Sequence, residues 1–137
     1  MNKIVPYLMF PGNCEEALNF YKDCFGGEIV SMMPFEGSPV EVPEGYKNKV
    51  LHSTFTAGDL IIMASDGMED QPPAPGTNIS LSLNFNSVDE EETVFNKLAK
   101  GGKVNMPLED TFWGSKFGML TDKYGISWML SCEKKEG

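Results

Sequence analysis

Residues 15–29 read EEALNFYKDCFGGEI, and residues 90–104 read EEETVFNKLAKGGKV. At a constant offset of 75 residues, the two stretches share two glutamates, a phenylalanine, a lysine and a pair of glycines. The same offset aligns Leu8 with Leu83 and Phe10 with Phe85 in the segment before each stretch. A chain of 137 residues is short for two domains. The repetition therefore predicts one domain built by duplication, with its chemistry where the two copies face each other.

Each copy is predicted to run strand, helix, strand, strand, strand, which is an α+β architecture of two tandem βαβββ modules. In the first copy, Asn13 is predicted to cap a helix, with Glu16 completing a capping box. Apolar residues then recur at helical spacing until Gly26, where glycine permits a left-handed helix end. The second helix is predicted over 89–100. The predicted strands are 4–10, 28–33, 49–56, 60–65, 79–85, 103–106, 111–121 (with an interruption at Gly114) and 126–132.

Two segments are predicted to lack regular structure. Residues 34–48 are rich in proline, glycine and charge and are predicted to form a long loop, and residues 67–76 contain three prolines and are predicted to form a linker. The whole chain, residues 1–137, is therefore predicted to be one domain made of a module at 1–66, the linker, and a module at 77–133.

The composition restricts the classes of partner. A net charge of −9 argues against a nucleic acid or an anionic membrane surface as a partner. All basic residues are lysines, so the chain lacks the planar arginine fork that grips phosphate at two points, which makes a dedicated phosphate site less favoured. Three cysteines without a C-x-x-C pair predict reduced thiols in the cytoplasm. The sequence also predicts neither a signal peptide nor a membrane span.

Several short motifs support a resemblance to a known family. They include YLMFPGN at 7–13, MASD at 63–66, DTFWG at 110–114 and YGISWM at 124–129. With the duplicated modules, they make the chain similar to the PhnB-like branch of the vicinal oxygen chelate superfamily, which includes glyoxalases, bleomycin-resistance proteins and extradiol dioxygenases. The resemblance implies curled mixed sheets that form a cup, with the ligand site in the cup and a homodimer that often completes it.

The resemblance also implies four strand positions at which the superfamily's enzymes hold a metal ion. They correspond here to Pro6 or Tyr7, to His52, and to positions near Ser80 and Met129. Only His52 is a usual ligand for a divalent ion. The chain is therefore predicted to bind no metal, to need no cofactor and not to be a metal-dependent glyoxalase. Some relatives carry a methyltransferase label, but the sequence has no glycine-rich strand-to-helix loop followed by an acidic residue, which predicts that it is not a methyltransferase.

Two residues dominate the candidate site. Strand alternation sets His52 on one face with Thr54 and Thr56, where a side chain that titrates near neutral pH is a candidate catalytic group or polar contact. The alternative is a strand histidine satisfied by its neighbours. Trp113, with Phe112, is predicted to wall an apolar pocket; the alternative is core or dimer packing. The full predicted ligand-binding set is His52, Trp113, Phe112, Tyr7, Ser80, Met63 and Met129.

Other chemically active residues are given structural interpretations. Cys14 lies near a helix N-terminus, a position that can lower a thiol pKa, but no histidine stands beside it in sequence. The run 90–92 of three glutamates is predicted to form a solvated first helical turn. Asp66, Asp110 and Asp122 are interpreted as turn residues.

Three functions remain open at this point. The first is a metal-free protein that binds a small, partly apolar molecule in the cup. The second is a lyase-, isomerase- or dioxygenase-type enzyme that uses His52 as an acid or a base. The third is a structural homodimer whose cup is filled by its own side chains. The absence of three expected metal ligands favours the first.

Overall fold

A computed structural model of the chain describes residues 3–133. The chain divides between Ala74 and Pro75 into two compact units, which are described one at a time. The ends of the predicted domain, residues 1–2 and 134–137, lie outside the described residues. The assignment of all 137 residues to a single domain stays a prediction.

The first unit is one four-stranded mixed sheet with one α-helix. Its strands stand in the order β1-β4-β3-β2, where β1 is parallel to β4 and the other pairs are antiparallel. A short 3-10 turn at Glu44–Tyr46 interrupts the long loop between β2 and β3. The elements are β1 (Tyr7–Phe10), α1 (Cys14–Phe25), β2 (Glu28–Pro34), β3 (Val50–Ala57) and β4 (Leu60–Asp66).

The second unit repeats this topology. Its order is β5-β8-β7-β6, again with the outer pair β5 and β8 parallel and the other pairs antiparallel. The elements are β5 (Leu81–Phe85), α2 (Val88–Ala99), β6 (Lys103–Asp110), β7 (Ser115–Thr121) and β8 (Ser127–Glu133). The predicted α+β class and the two βαβββ modules are therefore confirmed.

In each unit the helix covers one face of its sheet. In the first unit, Leu18 and Tyr21 of α1 are fully buried, as are Phe55 and Ile62, which alternate with half-buried residues on β3 and β4. In the second, Leu98 of α2 is buried, with Trp128 and Leu130 on β8. This alternation leaves the opposite face of each sheet without a helix from its own unit. We call these the open faces.

The strand predictions were wrong in their bounds at several points. The largest differences are at β6 and β7. The strand β6, predicted at 103–106, continues to Asp110. The strand predicted at 111–121 begins only at Ser115, because Thr111 to Gly114 form the turn between β6 and β7. There the Thr111 N–H donates to the Ser115 carbonyl at 2.8 Å, and Gly114 has a φ of +87°.

The predicted capping box at the start of α1 was also wrong. Asn13 occupies the N-cap position, but its side chain makes no capping hydrogen bond. Asp66 takes over that role from the end of β4: its Oδ1 accepts from the N–H groups of Gly12 at 3.0 Å and Cys14 at 2.8 Å. Its Oδ2 accepts from the Val50 N–H at 2.8 Å, so one carboxylate joins three segments. Asp66 was predicted to be a turn residue, but it is the last residue of β4, and its role is to join these segments.

None of the helices among residues 3–133 combines the length and the apolar character that crossing a membrane requires.

Candidate functional site

The open face of the first sheet carries a contact between Tyr7 and His52. The Tyr7 hydroxyl lies 3.3 Å from His52 Nδ1, and either group donates the hydrogen bond, depending on which ring nitrogen carries the proton. The two rings are stacked, with centroids 5.8 Å apart and planes inclined by 30°. Tyr7 is 47% exposed, so this polar pair is open to a ligand.

Strand pairing places thioether and hydroxyl groups beside the Tyr7–His52 pair. Met33 of β2 is the partner of His52, and Met63 of β4 is the partner of both Tyr7 and Thr54. Residues paired across a sheet point to the same face. The structure therefore brings three residues of the predicted set, Tyr7, His52 and Met63, to one surface, and it adds Met33.

The open face of the second sheet carries Met129 and an aromatic group. Met129 pairs with Ser82 on β5 and with Met119 on β7. Phe117 lies two residues from Met119 on the same strand and pairs with Ser131. Ser80 lies just before β5 and is half-buried.

Trp113 lies in the turn before β7, and its ring packs against the ring of Phe117. Their ring centroids are 6.0 Å apart with planes at 65°, and Phe112 packs edge-on against Trp113 at 5.0 Å. Trp113 is 57% exposed and Phe112 is 98% exposed, so neither belongs to the core of its unit. His52 and Trp113 lie in different units, and the single cavity predicted for them stays a prediction.

Cys14 is buried and its thiol is protonated. Its Sγ lies 3.8 Å from the Ser53 hydroxyl, which in turn donates to the Ala64 carbonyl at 2.7 Å. Burial raises the pKa of Cys14 to about 12, partly offset by the Ser53 hydrogen bond and reinforced by the charges of Asp66 and Glu15. The suggestion of a lowered thiol pKa at the helix N-terminus was wrong, because desolvation outweighs the helix dipole here.

Glu91 is the ionisable residue that sequence reasoning missed. It was predicted to be solvated, but its side chain is fully buried, and neither carboxyl oxygen has a hydrogen-bond partner among the described residues. Burial raises the pKa of Glu91 to about 7; Lys116 lowers it in part and Glu92 raises it. The helical spacing of Glu91 with the buried Val94, Phe95 and Leu98 was the available signal.

The residues around His52 do not fit a metal site. Its nearest partners on the open face are a phenol, a thioether and a hydroxyl group, from Tyr7, Met33 and Thr54. Divalent ions in such folds need carboxylate or several imidazole ligands. Within residues 3–133, no group of three or more histidine, cysteine, aspartate or glutamate side chains converges to hold a metal ion.

Two solved structures and one curated protein are close relatives. Protein PA1353 from Pseudomonas aeruginosa is 44% identical, with a TM-score of 0.88 over 98% of this chain and 100% of that one. The PhnB protein from Bacillus cereus is 36% identical, with a TM-score of 0.77 over 96% of this chain and 99% of that one. Protein YjdN of Escherichia coli K12 is 30% identical over 96% of this chain and 95% of its own length.

More distant likeness extends to the fold alone. The fosfomycin resistance protein FosX from Listeria monocytogenes is 14% identical, with a TM-score of 0.65 over 98% of this chain and 94% of that one.

A family model described as 3-demethylubiquinone-9 3-methyltransferase matches residues 2–131. The chain therefore belongs to that family, is similar to the PhnB protein, and has the fold of the vicinal oxygen chelate superfamily.

Proposed function

We propose that this protein binds a small, partly apolar molecule, without a metal ion, on the open face that carries Tyr7 and His52. The observation that carries the proposal is the exposed hydrogen-bonded pair at 3.3 Å on a sheet face that its own helix leaves uncovered. Ligand sites combine apolar walls with a few placed polar groups. Here Met33 and Met63 supply the apolar contact, and methionine adapts well to ligand shape.

Trp113 is proposed as an aromatic anchor on the open face of the second sheet. Its indole offers a large apolar face and one N–H donor. Its contact with Phe117 holds the ring against the open face of the second sheet, while more than half of it stays exposed. Ser80 and Met129 are proposed as further contacts, and Phe112, almost fully exposed, as a weaker one.

We infer that this chain is not a methyltransferase, although the family model carries that description. A cofactor carboxylate or ribose is usually held by free N–H groups and an acidic residue after a strand-to-helix loop. In the β1–α1 turn, the N–H groups of Gly12 and Cys14 already donate to Asp66. Before α2, Ser87 caps the helix by accepting from the Glu90 N–H at 3.3 Å. These contacts support the proposal of a binding protein over a methyltransferase.

A cytoplasmic location is part of the proposal. Cys14, Cys24 and Cys132 are all buried and form no disulfide. Reduced cysteines are typical of the cytoplasm, where thiols are kept reduced.

The test is a binding screen with a library of small, partly apolar fragments in buffer that contains EDTA. For a fragment that binds, Trp113→Ala should weaken binding by about 2 kcal/mol, as expected for an anchor residue. His52→Ala should weaken it less, and Met68→Ala, an exposed methionine on the loop after β4, serves as the control. Equal affinity in all three variants would remove both residues from the site.

The Tyr7–His52 pair also favours a second candidate, an enzyme that uses acid–base catalysis. A phenol in hydrogen-bond contact with an imidazole can exchange a proton with it, as general acid–base chemistry requires. For a compound turned over by the protein, Tyr7→Phe should lower the turnover and leave binding almost unchanged. Loss of binding and turnover together would instead favour the binding protein.

A further inference from the structure

A groove at one end of the second sheet carries positive charge. It is open to solvent, has a volume of about 760 Å³ and lies within the second unit. That volume is in the range of small-molecule sites, roughly 300–1,000 Å³. The polar side chains that line it include Ser80, Lys103, Asn105, Thr121, Lys123 and Ser127.

Two adjacent glycines bring the walls of this groove together. A side chain at Gly102 would overlap the Thr121 carbonyl oxygen and the Asp122 backbone. A Cβ at Gly101 would lie 3.2 Å from the Lys123 side chain, and Gly101 has a φ of +76°. The loop after α2 therefore lies directly on the turn after β7. This approach places Lys103, at the start of β6, and Lys123, in the turn between β7 and β8, on one groove.

The hydrogen bonds at the groove leave donors available. The Asn105 amide donates to Thr121 Oγ1 at 3.0 Å, so the Thr121 hydroxyl proton must point to another acceptor. The Ser127 and Ser80 hydroxyls add further donors. Hydroxyl and ammonium donors together are what an anionic oxygen group needs.

The acidic side chain that lines the groove is already engaged. Asp122 is 3% exposed; its Oδ1 accepts from the N–H groups of Tyr124 at 2.8 Å and Ile126 at 3.1 Å. Its Oδ2 accepts from the Trp128 indole N–H at 2.8 Å. Three N–H groups therefore fix this carboxylate in place, and they partly compensate its charge.

The duplication provides an internal comparison. Lys103 pairs with Thr121 in the second sheet as Glu28 pairs with Thr56 in the first, so Glu28 occupies the position equivalent to Lys103. At the same offset, Val30 corresponds to Asn105. The second copy thus has a cation and an amide where the first has a carboxylate and an apolar side chain. The two copies therefore differ in charge at this position, and only the second supplies a cation there.

We propose that this groove binds a small molecule through an anionic oxygen group, a carboxylate or a phosphate, held between Lys103 and Lys123. The proposal goes beyond the function proposed above, because it shares only Ser80 with that site and uses neither His52 nor Trp113.

The test follows backbone amide signals by NMR while the full chain is titrated with inorganic phosphate or with acetate, at constant ionic strength in chloride. We expect saturable shifts at Gly101, Gly102 and Gly125, which line the groove. The anion that binds more tightly identifies which group, phosphate or carboxylate, the groove prefers. Shifts that do not saturate with either anion would overturn the proposal.

Charge-reversal variants make the test specific. Lys103→Glu, which installs the residue of the first copy, should weaken binding at least tenfold, and Lys123→Gln should weaken it severalfold. Lys22→Glu makes the same change on the exposed end of α1 and should leave the affinity unchanged. An equal loss in Lys22→Glu would show a general charge effect and contradict the proposal. The readout is at glycine amides of the groove. Its outcome therefore does not depend on whether a ligand also binds at Met33 and Met63.

Discussion

At the scale of single residues, Glu91 makes the folding stability depend on pH. A glutamate in an unfolded chain has a pKa of about 4.3, whereas burial raises that of Glu91 to about 7 in the folded chain. Between these values the folded state binds the extra proton, so the free energy of unfolding falls as the pH rises from about 4 to 7.

Replacement of Glu91 by glutamine should therefore stabilise the protein above pH 7. Each unit of pKa difference corresponds to about 1.4 kcal/mol, and the two pKa values differ by nearly three units, so a gain of up to about 4 kcal/mol at pH 8 and little change at pH 4 are expected. Urea unfolding at both values measures this. The control is Glu90→Gln, an exposed neighbour on the same helix. A variant that is less stable than the wild type at pH 8 would show that Glu91 is stabilised as an anion.

Cys14 should be unreactive in the folded protein. Its thiol is buried and its pKa is about 12, so almost no thiolate is present at pH 8. A colourimetric thiol reagent should react with the native protein far more slowly than with the protein in denaturant, by at least a hundredfold. Rapid modification of Cys14 at pH 8, located by peptide mass analysis, would contradict the burial described.

At the scale of elements, Asp66 joins the start of α1, the start of β3 and the end of β4. Its two carboxylate oxygens accept from the N–H groups of Gly12, Cys14 and Val50. Asp66→Asn turns one acceptor into a donor that faces an N–H group, so a loss of about 2–3 kcal/mol of stability is expected. Asp59→Asn, in the exposed turn between β3 and β4, is the matched control, and thermal unfolding compares them. Equal melting temperatures would show that the three contacts add little.

Sequence patterns predicted the elements that have a buried face. Both helices and the topology of each unit were confirmed because apolar residues repeat along them and the glycine pairs mark the helix ends. The second half of β6 was missed because seven of its eight residues are exposed, so burial imposes no pattern on it. Pairing with β7 defines that strand, and Pro107 hid it further.

The candidate site was predictable to a similar extent. The alternation along β3 predicted that His52 and the buried Ser53 lie on opposite faces of the sheet, and the structure has this arrangement. Its contact with Tyr7 was not visible, because β1 and β3 are separated by β4 and only the sheet order brings them near. The groove of Lys103 and Lys123 was also missed, because its walls are brought together by the close approach at Gly101 and Gly102, a contact that the sequence does not show.

At the scale of the whole molecule, a homodimer is predicted. The edge strands β2 and β6 expose apolar residues, among them Met33 at 52% and Val104 and Met106 at 44% each. Unpaired edge strands favour association, and pairing with a second chain would cover these apolar residues. Light scattering at micromolar concentration should report a mass near twice the 15.2 kDa of one chain.

A lysine in the edge strand tests which surface is covered. Val104→Lys should shift the protein towards the monomer, and Val40→Lys, in the loop after β2 and 39% exposed, should not. A wild-type protein that is monomeric at micromolar concentration would reject the homodimer.

The most direct test of metal-free binding is an NMR titration of protein labelled at the methionine methyl groups. Met33 and Met63 lie beside the Tyr7–His52 pair, whereas Met68 lies on the loop after β4. With the fragment library and EDTA present, a binding fragment should shift Met33 and Met63 and leave Met68 unchanged. Shifts that appear only after a divalent metal is added, or that leave Met33 and Met63 unmoved, would contradict the account.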